Sequence, residues 1–174
     1  MPEPKAMWAG DWRNAIIKRQ KKAVIYKEIN HLIQAHRRFL VFVPNIELMV
    51  NFSAYLKEIF PQCSFTSVSS EDEQRKKKVE SMRDETYQFM LTTTILERGV
   101  TFRDIDVLVI GAEDRTFTEA ALIQIAGRAG RHRDFPTGEV LFLHHGQTKA
   151  LKSAIRQIKK MNRLARERGL LINQ

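Results

Sequence analysis

Hydrophobic residues along the chain fall into two alternating patterns. Val24, Ile25, Ile29, Leu32 and Ile33 keep the three- and four-residue spacing of a single helical face, which predicts a helix from about Lys21 to His36. Phe39-Leu40-Val41-Phe42-Val43 then runs apolar without a break and stops at Pro44. Such a run, with no polar alternation, reads as a strand covered on both faces, the habit of parallel sheets. Asn45 suits the cap of a helix over Ile46–Ile59, and Phe65–Val68 is a second, weaker strand. Ser70-Glu71-Asp72-Glu73 has the form of a capping box before a charged helix over Glu73–Arg83. Gln88–Thr93 and Ile105–Ile110 read as the third and fourth strands, the latter ending at Gly111. Thr116-Phe117-Thr118-Glu119 is a second capping box, opening a helix through Ala120-Ala121-Leu122-Ile123. After the turn Pro136-Thr137-Gly138 comes a fifth strand, Glu139–Leu143. Last is an amphipathic helix over Gln147–Arg168, with Leu151, Ile155, Ile158, Met161 and Leu164 as its stripe and Gly169 as its C-terminal cap.

Strands alternating with helices predict an α/β fold, an open and mostly parallel sheet with helices on both faces in three layers. Ligands of such sheets bind at the carboxyl ends of the strands. That rule singles out Pro44-Asn45, Ser69-Ser70 and residues 93–102. Residues 1–20 resist assignment. Trp8 and Trp12 flank Gly10-Asp11, and Asp11 can cap a short helix. One tryptophan is expected to cover an edge of the core, and base stacking is the other reading. The segment is expected to be a lead-in or linker from an upstream domain, with residues 21–174 forming the domain itself.

Composition narrows this picture. The 174 residues, 43% hydrophobic, suffice for one domain with a sizeable core. Lys and Arg number 29 against 20 Asp and Glu, for a net charge of +9. That excess suits a polyanionic partner, though it also serves solubility alone. Cys63 is the single cysteine, so neither an internal disulfide nor a cysteine zinc cluster is possible, which fits a reducing compartment. No apolar run is long enough to span a bilayer and the start lacks a signal-peptide pattern, so a soluble cytoplasmic protein is expected. His144-His145 lack further ligands at workable spacing, and no metal site is expected. Met49, Met82, Met90 and Met161 read as core filling.

The candidate chemistry is concentrated in Gln124-Ile125-Ala126-Gly127-Arg128-Ala129-Gly130-Arg131. Arg128 and Arg131 stand three residues apart, a spacing that shares one face of a helix. Their guanidiniums are always charged and match phosphate oxygens. The two glycines remove side-chain bulk where another surface must approach. A solvated basic helix end is the plain alternative. Upstream, Thr92-Thr93-Thr94 through Arg98-Gly99-Val100-Thr101-Phe102 follow the third strand, and their hydroxyls and amides can bind phosphate without charge.

In order, these segments resemble the second RecA-like domain of superfamily 2 helicases. Phe42-Val43-Pro44 is similar to motif IV, residues 92–102 to motif V and residues 124–131 to motif VI. Gln124 stands where DEAD-box RNA helicases carry His, and Thr101 where they carry Asp. Glu97–Phe102, Ala112-Glu113-Asp114-Arg115 and Phe117–Leu122 most resemble the ComFA family of late-competence ATPases. The resemblance implies the C-terminal half of an ATP-dependent DNA translocase that helps take up single-stranded transforming DNA. Arg131 would be the arginine finger, with Arg128 beside it and Gln124 near the γ-phosphate and attacking water. Gly99, Thr101 and Gly127 would lie at the nucleotide, while Pro44, Asn45, Ser70, Thr93 and Thr94 would face the DNA backbone. A P-loop needs Gly-Lys-Ser/Thr, and this chain has no Gly-Lys pair. ATP and Mg2+ would therefore be held mostly by an upstream RecA-like domain, and this chain alone is expected to be inactive. The resemblance further implies other competence proteins as partners, a homo-oligomer, and cytoplasmic action that includes a peripheral place at the inner membrane face beside the uptake channel. Two other readings remain open: another superfamily 2 DNA helicase, of replication restart or recombination, and a non-catalytic nucleic-acid or protein interaction module.

Overall fold

The computed structural model of the chain describes residues 1–93, 102–130 and 138–169. In chain order it forms β1 (Lys5–Trp8), α1 (Trp12–Ile17), α2 (Val24–Gln34), β2 (Arg38–Phe42), α3 (Ile46–Ile59), β3 (Phe65–Val68) and α4 (Arg75–Arg83). There follow β4 (Phe89–Thr92), β5 (Ile105–Ile110), α5 (Glu119–Ala126), β6 (Val140–His144) and α6 (Lys149–Glu167). The six strands pair in the order β1-β6-β5-β2-β4-β3, every pair parallel. This is the three-layer α/β architecture that the strand–helix alternation predicts. Because successive side chains on a strand point to opposite faces, the apolar runs supply two cores at once. Phe39, Val41, Phe89, Leu91, Leu108 and Ile110 meet α1, α2 and α3 on one face. Leu40, Phe42, Met90, Val107, Val109 and Phe142 meet α4, α5 and α6 on the other.

The differences from the sequence reading have local causes. A sixth strand, β1, lies in the segment expected to be a linker, in register from Lys5 opposite Leu141 to Trp8 opposite His144. Four residues at the sheet edge, with both strand ends exposed, carry no hydrophobic run to announce them. Trp12 and Ile16 of α1 are buried in the core, so the packed body begins at Lys5.

Ser70 caps nothing. Two turns intervene, and α4 starts after Gln74 without a side-chain cap. The local carboxylate is Asp72, which accepts from the Gln74 amide at 2.8 Å and from Lys78 Nζ at 2.6 Å. The Lys78 bond holds the Asp72 carboxyl below the usual carboxylate range, with the Gln74 amide adding to it. The second box also shifts: Thr118, not Thr116, caps α5, through the Ala121 amide. The stripe of α6 turns as well. Its buried residues are Leu151, Ala154, Ile158 and Asn162, while Met161 and Leu164 are 40% and 36% exposed. Met161 is therefore not core filling. Among the described residues no helix is long and apolar enough to cross a membrane.

Candidate functional site

Four of the residues expected to face DNA lie along one edge of the sheet. β2, β4 and β3 are consecutive neighbours and run parallel, so their carboxyl ends open on the same side. Pro44 and Asn45 follow β2, Thr93 follows β4, and Ser69-Ser70 follow β3. The Val43 amide donates to the Thr92 carbonyl at 2.9 Å, which carries the pairing to the last residue before this edge. Asn45 takes an extended backbone and its Oδ1 accepts from the Leu48 amide at 2.9 Å, capping α3. Asn45 and Ser70 are exposed, Thr93 is half-buried, and Pro44 is buried and shapes the turn. The edge offers amide and hydroxyl groups, which can hold a phosphate backbone without reading sequence.

The glycine–arginine segment lies elsewhere. α5 carries Gln124 on its exposed side and ends at Ala126. Gly127, Arg128 and Ala129 continue as a loose turn, their amides donating to Ile123, Ile125 and Ala126. Gly130 then adopts φ 64°, the left-handed region that glycine enters without strain, and its amide donates to the Ile105 carbonyl at 3.0 Å. Ile105 opens β5, so the segment ends at the amino end of that strand, opposite the edge that carries Pro44 and Asn45. This corrects the helical-face argument for Arg128 and Arg131, because the helix stops before the pair. Arg131, Gly99, Thr101 and Thr94 lie outside the described residues.

Two features fix Gly130 in place. Gly138, where the described chain resumes, packs directly on it: a Cβ there would come within 2.6 Å of the Gly130 amide nitrogen and 2.7 Å of the Ile105 carbonyl oxygen. Beside it, Asp106 is buried and accepts from Arg37 Nε and Nη2, both at 2.7 Å, and from the Glu139 amide at 2.7 Å. The bond to Asp106 raises the Arg37 pKa against the opposing effect of burial. One carboxylate thus joins the start of β2, β5 and the entry to β6. This group matches no motif in the sequence. The available signal was a lone charged residue inside the apolar run Ile105–Ile110, since a buried charge demands a partner.

At the carboxyl ends of β5, β6 and β1 a second polar corner forms. Glu113 Oε1 accepts from Trp12 Nε1 and from the His145 amide. Burial pushes the Asp114 carboxyl up, but the Thr116 amide and hydroxyl and the Arg13 guanidinium hold it below the usual range. Burial lowers His144, against an opposing pull from Glu113, and its Nδ1 accepts from the Gly146 amide at 3.0 Å. Trp8 is 64% exposed, its ring centroid 6.4 Å from that of His145. Among the described residues no cluster of three His, Cys, Asp or Glu side chains could hold a metal ion.

Residues 20–133 match the helicase conserved C-terminal domain. The chain is 39% identical over 165 residues to the competence protein ComFA of Bacillus subtilis (strain 168), covering 95% of the chain. It is 38% identical over 162 residues to ComFA of Streptococcus pneumoniae (strain ATCC BAA-255 / R6), covering 93%. It spans 35% and 38% of the length of these two relatives. Among solved structures, the C-terminal domain of the DEAD-box protein Dbp5 superposes with a TM-score of 0.63 at 17% identity, over 91% of this chain and 85% of that one. DEAD-box helicase domain 2 of Mss116p, bound to an RNA duplex, superposes with a TM-score of 0.62 at 17% identity, over 89% of this chain and 68% of that one. These structural likenesses support the fold, and the sequence relatives support the lineage. The chain belongs to the helicase conserved C-terminal domain family, as the C-terminal RecA-like domain of a superfamily 2 helicase with homologues among the ComFA competence proteins.

Proposed function

We propose that this domain is the C-terminal motor half of an ATP-dependent DNA translocase that takes up single-stranded transforming DNA. An upstream RecA-like domain holds ATP and Mg2+, and this domain completes the nucleotide site. Arg131 acts as the arginine finger, Arg128 flanks it, Gln124 orients the γ-phosphate and attacking water, and Gly99, Thr101 and Gly127 border the nucleotide. The DNA backbone crosses the edge formed by Pro44, Asn45, Ser70, Thr93 and Thr94. Work is done in the cytoplasm, at the inner membrane face, by a homo-oligomer that engages other competence proteins.

The observation that carries this reading is the end of α5. Gly130, the residue before Arg131, is hydrogen-bonded to the first carbonyl of β5 and packed on Gly138. A finger stabilises charge only if it is pre-positioned, because reorganising it during the reaction would consume the gain. A backbone held by sheet and glycine packing meets that requirement better than a solvated basic helix end would. Separation of the two groups, at opposite ends of the strands, also suits a motor in which nucleotide and nucleic acid occupy different surfaces.

Arg131→Ala in a protein of the relatives' full length is the test. ATP turnover in the presence of single-stranded DNA should fall by about 10³ or more, the scale of a lost finger, with unchanged circular dichroism. Turnover within tenfold of the parent would place the finger elsewhere.

A further inference from the structure

The outer face of α6 is cationic along most of its length. Lys149, Lys152, Arg156, Lys159, Lys160 and Arg163 recur at helical spacing on the side opposite Leu151, Ala154, Ile158 and Asn162. All six are exposed. Among the described residues the first five form no ion pair. Arg163 meets Glu167 at 3.9 Å and Arg166 meets Glu3 at 3.8 Å, both exposed pairs of the kind that contribute little. We propose that this face is a second nucleic-acid contact, a phosphate track for single-stranded DNA along α6, separate from the row of amides and hydroxyls at Asn45, Ser70 and Thr93.

Three observations favour a polynucleotide backbone. The first is energetic. Like charges at four-residue spacing destabilise a helix by a few tenths of a kcal/mol per pair. Lys152–Arg156, Arg156–Lys160 and Lys159–Arg163 all have that spacing, and a polyanion would relieve the repulsion. The second is composition. Protein interfaces are built around aromatic and apolar anchors and are depleted in lysine, whereas this face has four lysines among six cations and no apolar residue between them. Met161 and Leu164 lie to one side of it. The third is continuity. Only four residues separate β6 from α6, at the same end of the sheet as Pro44 and Asn45, and the exposed Trp8 and His145 rings stand where β1 and β6 end. A strand leaving the sheet edge therefore meets aromatic surface and then the start of the cationic row.

The inference rests on the DNA-binding part of the proposed function, and the experiment separates the two. The 174-residue chain carries both surfaces, and each is varied on its own: Lys152→Gln/Arg156→Gln/Lys159→Gln/Arg163→Gln on α6, and Asn45→Ala/Thr93→Ala at the sheet edge. Labelled single-stranded DNA is titrated by fluorescence anisotropy across a salt series, and thermal melts confirm the fold. Each phosphate contact on a single strand contributes about 0.7 to the slope of log affinity against log salt. The α6 variant should thus lose about 3 from the slope's magnitude. The edge variant should weaken binding with little change in slope, because it removes no charge. An unchanged slope in the α6 variant overturns the track, while weakened binding in the edge variant would leave the sheet-edge reading standing. If the slope is unchanged but retention of polyglutamate is lost, the face docks an acidic protein and the proposal fails. No binding by the parent chain at low salt also overturns it, and leaves the Arg131 test to decide the motor reading alone.

Discussion

Gly111 shows how one missing methyl group can decide a corner of the molecule. It ends β5 at φ 75°, and a Cβ built on it would overlap the six-membered ring of Trp12. Trp12 is 1% exposed, its ring packs closely against this glycine, and its indole N–H donates to Glu113. Gly111→Ala therefore combines left-handed backbone strain of about 1–2 kcal/mol with displacement of a buried indole. A loss of about 3 kcal/mol in urea unfolding is expected, the scale of overpacking plus strain. Tryptophan fluorescence should shift to the red as Trp12 gains solvent. A variant with parental stability and emission would mean that the ring has room to move and that the corner is not tightly set. In the sequence Gly111 reads as the end of a strand and Trp12 as one of two tryptophans beside the core edge, but adjacency across 99 positions of chain has no local signature.

At the scale of elements, the Arg37–Asp106–Glu139 join holds the amino ends of β2, β5 and β6 in register, next to the point where Gly130 meets Ile105. Asp106→Ala leaves a guanidinium 27% exposed and an amide without its acceptor. Removing one partner of a buried pair costs roughly 3–5 kcal/mol. With Arg37 partly in water, about 3 kcal/mol is the expected loss, read as a fall in the urea midpoint at constant m-value. Arg37→Met in the same background should recover part of it, because the half-buried guanidinium that lost the Asp106 carboxylate is then gone. A loss below about 1 kcal/mol would show that water already serves Arg37 and that the join contributes little. What could be read in advance follows from the strength of each local signal. β2 and β5 announce themselves by uninterrupted apolar runs, and Asn45 and Asp11 by their capping chemistry. β1 could not be read because an edge strand of four residues depends on its partner. The capping boxes at Ser70 and Thr116 do not form because tight turns run through both, with the carboxylates of Asp72 and Asp114 accepting from the Gln74 and Thr116 amides. The end of α5 was legible in composition only. Two glycines in four residues are a common way to stop a helix, yet the spacing of the two arginines reads as a helical face until the positive φ of Gly130 is seen.

For the whole molecule, the question is where the folded unit begins. A boundary at Lys21 would treat the first twenty residues as a tether, but β1 covers the outer edge of β6 and α1 lies against α3 and α2. Trp12, Ala15 and Ile16 are each 1% exposed, and the Tyr26 hydroxyl donates to the Ala15 carbonyl at 3.0 Å. A chain starting at Lys21 loses a buried Trp and a buried Ile, each of which costs about 2–5 kcal/mol when truncated. It also leaves Tyr26 without its acceptor and bares an apolar strand to intermolecular pairing. The sum is comparable to the 5–15 kcal/mol that holds an ordinary domain together. Deletion of residues 1–20 should therefore yield a protein that aggregates or melts without a cooperative transition. Deletion of residues 1–4 alone, which removes the Met1 contacts to Asn162, the exposed Glu3–Arg166 pair and the buried Pro4 but leaves β1 and α1 in place, should keep a cooperative transition and lower the melting temperature by only a few degrees. If the shorter chain melted cooperatively at the parental temperature, β1 and α1 would be an appendage after all. The outcome bears on the motor reading as well. The end of β6 lies at the corner to which Trp8 and Trp12 belong, so on the proposed DNA track the route from the sheet edge to α6 passes over surface that exists only when the first twenty residues are folded into the domain.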